Sequence, residues 1–146
     1  MASTVYVDSG VLIKLYVREP NSPDAAAVVS TLPAIPITPL HELEIRNTLR
    51  ALVGRGAITE GRRAASEHTF EIDIAAGRLR RTVPDWAAVF RRATELSAAH
   101  TPATLARSLD LLHVAAAGPT ADLFVTADKR QAEVARLAGL ETRLIE

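Results

Sequence analysis

Short apolar runs of β-forming residues alternate with longer helix-patterned segments along the whole 146-residue chain, and this alternation constrains the fold more than any other feature. Residues 4–7 (TVYV), 34–38, 78–83 (RLRRTV), 123–126 and 142–145 read as strands. Pro36 places the second of these near a sheet edge. Helices are expected over 9–17, from the Asn21-Ser22-Pro23-Asp24 start to about residue 32, and over 38–53, 59–77, 85–99, 103–117 and 129–138. Their starts carry polar caps followed by proline or acid, and glycines such as Gly54 and Gly139 mark their ends. Strands separated by helices in so short a chain imply a three-layer α/β/α sandwich around a central parallel sheet, built as a single domain over 1–146.

Composition narrows the function classes. With 48% hydrophobic and 23% charged residues the chain matches an ordinary globular domain. A chain of this size buries roughly 68–70% of its unfolded surface and needs no staple to hold a core. The absence of cysteine removes disulfide frameworks, cysteine nucleophiles, thiolate zinc sites and iron–sulfur clusters. Four scattered histidines argue against a multi-histidine metal site. No apolar run approaches the ~18–20 residues of a spanning helix, and Asp8 interrupts the first apolar stretch, so neither a membrane span nor a signal peptide is expected. A cytoplasmic protein is the expectation.

Net charge is zero, with 17 basic against 17 acidic side chains, but the distribution is uneven. Residues 1–45 hold two basic and five acidic groups. Residues 46–92 hold ten arginines against five acids, and residues 93–146 hold five basic and seven acidic groups. Acidic ends around an arginine-rich middle suggest one surface for cations and another for anions, although arginines also simply solvate helix faces.

In parallel α/β sheets, ligands collect beyond the carboxyl ends of the strands. Asp8 directly follows the first strand and Asp128 follows the fourth. Each also stands before a helix that it could cap; for Asp128 alone capping is the plainer reading, whereas Ser9 could cap in place of Asp8. Asp110 sits among Leu109, Leu111 and Leu112, where an ionised carboxylate needs a partner, and His113 one turn on is a candidate. Glu42 and Glu44 lie two positions apart on one helix, so they face different sides. Four convergent carboxylates without sulfur suit Mg²⁺ or Mn²⁺, and Mg²⁺ pairs naturally with a phosphate-ester substrate. Such an ion activates water and stabilises charge on a departing oxygen, while the middle arginines grip a polyanion backbone.

Four segments in order, Val5–Tyr16 (VYVDSGVLIKLY), Leu43–Leu49 (LEIRNTL), Ser108–Ala116 (SLDLLHVAA) and Phe124–Arg130 (FVTADKR), resemble the signature segments of the PIN-domain family, most of all the VapC-type toxins of toxin–antitoxin pairs. The likeness runs from Val5 to about Leu140; each segment alone is weak, and four in order are specific. The resemblance implies a PIN fold and a Mg²⁺- or Mn²⁺-dependent endoribonuclease leaving 5′-phosphate and 3′-hydroxyl ends. It maps the acids onto Asp8, Glu44, Asp110 and Asp128. Glu44 is chosen over Glu42 because Asn47 follows it by three residues. Ser9 and Thr126 match polar positions lining the family's site. Gly10 and Thr38 depart from the family pattern without removing an acid. Arg46, Arg50, Arg62, Arg63, Arg78, Arg80 and Arg81 are candidate RNA contacts. A homodimer and a VapB-like antitoxin are implied partners, with Val11, Leu12, Leu15 and Tyr16 as either an antitoxin-binding stripe or core.

Three other readings compete. A catalytically silent PIN-fold module that binds RNA or a partner is weakened by the presence of all four acids. A phosphoacceptor receiver domain expects an early acid pair and an aspartate ending a middle strand, and the chain has neither. A haloacid-type phosphatase expects an aspartate two residues after Asp8, where Gly10 stands, and no glycine-rich phosphate loop occurs.

Overall fold

The computed structural model describes residues 4–146. In chain order the elements are β1 (Val5–Val7), α1 (Ser9–Leu12), α2 (Ser22–Val29), β2 (Ile35–Ile37), α3 (Pro39–Gly54), α4 (Glu60–Ala75), β3 (Leu79–Arg81), α5 (Trp86–Thr104), α6 (Ser108–Ala117), β4 (Leu123–Thr126), α7 (Lys129–Leu137) and β5 (Thr142–Leu144). This is the α/β class expected, and every strand pairing described is parallel. The chain divides into two compact units: the chain up to Asp8 together with Val83–Glu146, and Ser9–Thr82.

The first unit is built on the sheet β1-β4-β5, in register Val7↔Val125 and Val125↔Arg143. Parallel neighbours so distant in sequence require crossover helices, which α5, α6 and α7 supply. Their apolar faces close on the sheet. Phe124 is fully buried and stacks on Tyr6 at 5.6 Å between ring centroids, and Val114, Ala115, Val134 and Ala135 fill the same core. The break expected between the helices over 85–99 and 103–117 falls later, at residues 105–107. α5 runs to Thr104 with Pro102 inside its last turn; Leu105 takes a left-handed conformation (φ 57°), and α6 begins at Ser108. A non-glycine residue in that region is uncommon, which is why no glycine marked the break. The consequence is that Asp110 lies in the first turn of α6 rather than mid-helix.

The second unit carries the parallel pair β2-β3, with Ile35↔Leu79 and Ile37↔Arg81, and packs α1 on α3 and α3 on α4. α3 starts where Thr38 accepts from the backbone N–H groups of Leu40 and His41, and α4 where Thr59 accepts from that of Arg62. The expected helix over 9–17 is shorter: α1 gives way to a 3₁₀ turn, Ile13–Leu15, with the Tyr16 and Val17 N–H groups both bonded to the Ile13 carbonyl. Val11, Leu12 and Tyr16 are buried within the chain, so of the two readings of that stripe the structure supports core. Tyr16 packs edge-on against Phe70, and burial together with its hydrogen bond to Asp73 (2.6 Å) raises its phenol well above the ordinary value.

An ion-pair cluster ties α3 to α4. Glu67, half-shielded from solvent, accepts from Arg46 at 2.5 Å and from Arg63, with Arg50 at 3.6 Å; Arg46 also lies over the Phe70 ring. Burial alone raises the Glu67 carboxyl, but the Arg46 hydrogen bond and the charges of Arg50, Arg46 and Arg63 outweigh it and hold the group below its ordinary value. A folded-state value below the unfolded one contributes stability above the unfolded value and loses it as pH falls through the folded one. Thermal unfolding from pH 6 to pH 3 is therefore expected to fall below about pH 4.5. In Glu67→Gln that slope should flatten, with about 1–3 kcal/mol lost at pH 7. An unchanged slope would remove Glu67 from the account.

Candidate active site

The first unit brings three of the expected acids to one edge. β1 and β4 are parallel neighbours, so their carboxyl ends fall together, and the ladder continues one step further as the Asp8 N–H donates to the Val125 carbonyl (2.9 Å). Asp8 leaves that edge directly and Asp128 two residues past β4. Asp110 joins them from the first turn of α6, where it closes a capping box by accepting from the Arg107 backbone N–H at 3.3 Å.

Buried Gln131, in the first turn of α7, organises the group. Its side-chain amide donates to Asp8 Oδ1 (3.3 Å) and to the Asp110 carbonyl oxygen (3.4 Å). The amide is oriented in turn by Thr126, whose hydroxyl donates to Gln131 Oε1 (2.5 Å) while accepting from the Asp128 N–H (3.0 Å). Thr126 thus supports the acids through Gln131. His113 does not pair with Asp110. Its Nδ1 shares a 2.7 Å hydrogen bond with the Tyr6 hydroxyl, and its Nε2 stands 3.6 Å from Asp8 Oδ1. With Tyr6 donating to Nδ1, the Nε2–H faces the carboxylate, so a buried aromatic pair backs Asp8.

Asp128 caps the helix that follows it and also stands at the acid edge. Oδ1 caps α7 by accepting from the N–H groups of Arg130 (2.8 Å) and Gln131 (3.1 Å), while Oδ2 faces the Arg107 guanidinium at 3.4 Å. Arg107 Nε also stands 3.4 Å from Asp110 Oδ2, so one guanidinium bridges two of the acids. The charge of Asp110 and its hydrogen bond, then the charge of Asp128, raise the Arg107 guanidinium above its ordinary value. Gln131 and Arg107 were not singled out from the sequence. The available signals were a glutamine three residues after Asp128, on the apolar side of an amphipathic helix, and a basic residue three before Asp110.

In the second unit, buried Ser9 donates to Glu44 Oε1 on α3 (3.0 Å), and Asn47, one turn on, is exposed. Glu42 faces elsewhere and binds Arg81 at 2.9 Å. Of the arginines named as RNA contacts, Arg46 and Arg63 are committed to Glu67, Arg78 to Asp73 and Arg81 to Glu42, whereas Arg80 is exposed and Arg50 half-exposed.

Among the described residues no group of three or more His, Asp or Glu is arranged to hold a metal ion as it stands. The donor chemistry nevertheless fits a hard divalent cation: the edge is carboxylate oxygen throughout, without sulfur, and two of its oxygens already face a positive group. Among the described residues no helix is long and apolar enough to cross a membrane.

No curated protein is significantly similar in sequence to this chain. Its fold is shared by solved structures, among them VapBC2 and FitAcB. VapBC2 from Rickettsia felis, bound to a DNA fragment from its promoter, aligns with a TM-score of 0.68 at 14% identity, covering 98% of this chain and 99% of that one. FitAcB from Neisseria gonorrhoeae aligns with a TM-score of 0.68 at 16% identity, covering 95% and 96%. The PIN domain family model matches residues 5–137, nearly the whole chain and all four of the acids, and the chain therefore belongs to the PIN domain family.

Proposed function

We propose that this PIN-domain protein is an endoribonuclease acting in the cytoplasm as the toxin of a VapBC-like pair, with a VapB-like antitoxin and a second copy of itself as partners. The observation that carries the reading is the gathering of Asp8, Asp110 and Asp128 at one sheet edge around Gln131 and Arg107. The likeness in fold to VapBC2 and FitAcB supports the toxin assignment. Asp8, Asp110 and Asp128 would hold Mg²⁺ or Mn²⁺, and the family resemblance adds Glu44 to the ligands. Such an ion, when bound, activates water and stabilises charge on the departing oxygen.

The chain's own residues prepare the edge. Gln131 fixes the direction of the Asp8 carboxylate, Thr126 fixes Gln131, and the Tyr6–His113 pair backs Asp8 from the core. A site whose acids are oriented before the ligand arrives loses less freedom on binding. Ser9 orients Glu44 in the same manner.

The test is a mixed RNA pool incubated with the purified chain and Mg²⁺, Mn²⁺ or chelator, beside Asp8→Asn. Cutting that needs the divalent ion and disappears in the variant is the expected result. Cutting that survives in the variant would overturn the role of Asp8. No cutting under any condition, with divalent binding retained, would make the chain a binding module.

A further inference from the structure

The Arg107 guanidinium faces Oδ2 of both Asp110 and Asp128, the two carboxylates that a divalent ion at this edge would use. Asp128 Oδ1 is committed to capping α7, which leaves Oδ2, and Oδ2 faces Arg107 at 3.4 Å. Asp110 Oδ2 receives the Arg107 backbone N–H at 3.3 Å as well as its Nε at 3.4 Å. Two carboxylates sharing one edge repel one another without a cation between them, and the guanidinium supplies it. Its hold is weak. Both side-chain contacts are long for charge-assisted hydrogen bonds, and the Arg107 side chain is 73% exposed while those of Asp110 and Asp128 are 14% and 29% exposed. An exposed ion pair of this kind is weak, so its release is inexpensive.

We propose that Arg107 is an exchangeable counter-ion and substrate-binding residue. It neutralises Asp110 and Asp128 while no divalent ion is bound, gives way at those carboxylates when one binds, and turns outward to grip a phosphate of the RNA backbone. The proposal deepens the nuclease reading and rests on it. The stem of Arg107 is anchored at the start of α6, so a released guanidinium stays tethered beside the acids, where its planar fork suits a phosphate better than an ammonium does. Other arginines are placed differently: Arg46 and Arg63 are committed to Glu67, and Arg81 to Glu42.

The experiment compares wild type, Arg107→Gln and Arg107→Lys by calorimetric titration with Mn²⁺ alone, and by steady-state cutting of a short RNA. With the competing cation removed, Arg107→Gln is expected to bind Mn²⁺ two- to five-fold more tightly, the fold-change that 0.4–1 kcal/mol of lost competition corresponds to. Its KM for RNA should rise at least ten-fold, with partial recovery in Arg107→Lys. Mn²⁺ affinity unchanged or weakened in Arg107→Gln would overturn the exchange, and an unchanged KM would overturn the phosphate contact. Wild type that binds no Mn²⁺ at all would instead sink the nuclease reading, so the two failures are distinguishable.

Discussion

On the proposed nuclease reading, Asp128→Asn should leave the protein folded and slow RNA cutting by more than about 100-fold, since disturbing even the residues behind a metal ligand costs 10–100-fold and this change removes the charge of a proposed ligand. The asymmetry of the residue makes the variant informative. Oδ1 caps α7 through Arg130 and Gln131, and Oδ2 faces Arg107. Asparagine caps a helix about as well as aspartate, so its side-chain oxygen keeps the hydrogen bonds while the charge disappears. Asp128→Ala loses both, and is expected to cost about 1 kcal/mol of stability besides the activity. Denaturant midpoints and cutting rates measured on the two variants separate the roles. Activity retained in both variants, with only Asp128→Ala destabilised, would mean that Asp128 is a cap and nothing more.

Phe124→Ala carries the largest expected effect on stability, a loss of about 3–5 kcal/mol. The ring is fully buried and stacks nearly parallel on Tyr6, with 6° between the planes, so truncation opens a void under the sheet as well as removing apolar contact. Against a typical total of about 5–15 kcal/mol this is a substantial fraction, and it should lower Tm by roughly 10–20 °C. The effect extends to the site, because Tyr6 holds His113 and His113 faces Asp8. Phe124→Leu keeps most of the volume and is expected to cost about 1.5 kcal/mol or less, with cutting preserved. A mild effect of the alanine change on thermal unfolding would show that this core relaxes into the space.

The acids were legible before the fold was seen because strand ends and helix starts are written locally. A compact apolar run followed at once by Asp8, and another closed by Thr126, Ala127 and Asp128, place both aspartates at strand ends whatever the rest of the chain does. Thr38, Thr59 and Asp85 announce helix starts in the same way, and each caps one. The break between α5 and α6 was expected at residues 100–102 and falls at 105–107, because Leu105 adopts a conformation that glycine or asparagine usually advertises. Placing it too early turned Asp110 from a first-turn capping residue into an apparently stranded mid-helix charge, and suggested His113 as its partner.

The chain's own order of residues determined the α/β class, the parallel strands and the family, since each depends on periodicity, caps or short motifs read within a dozen residues. Tertiary structure alone decided which groups meet those acids. Gln131 reaches Asp8 across 123 residues and Tyr6 reaches His113 across 107, separations over which no local pattern specifies a partner. The same holds for charge. Fifteen arginines look alike in a sequence, yet Glu67 collects Arg46 and Arg63 into a structural cluster, while Arg107 is left at the acid edge with two carboxylates and a loose hold. Pairwise electrostatics is steep in distance, and distance is what only the folded chain sets.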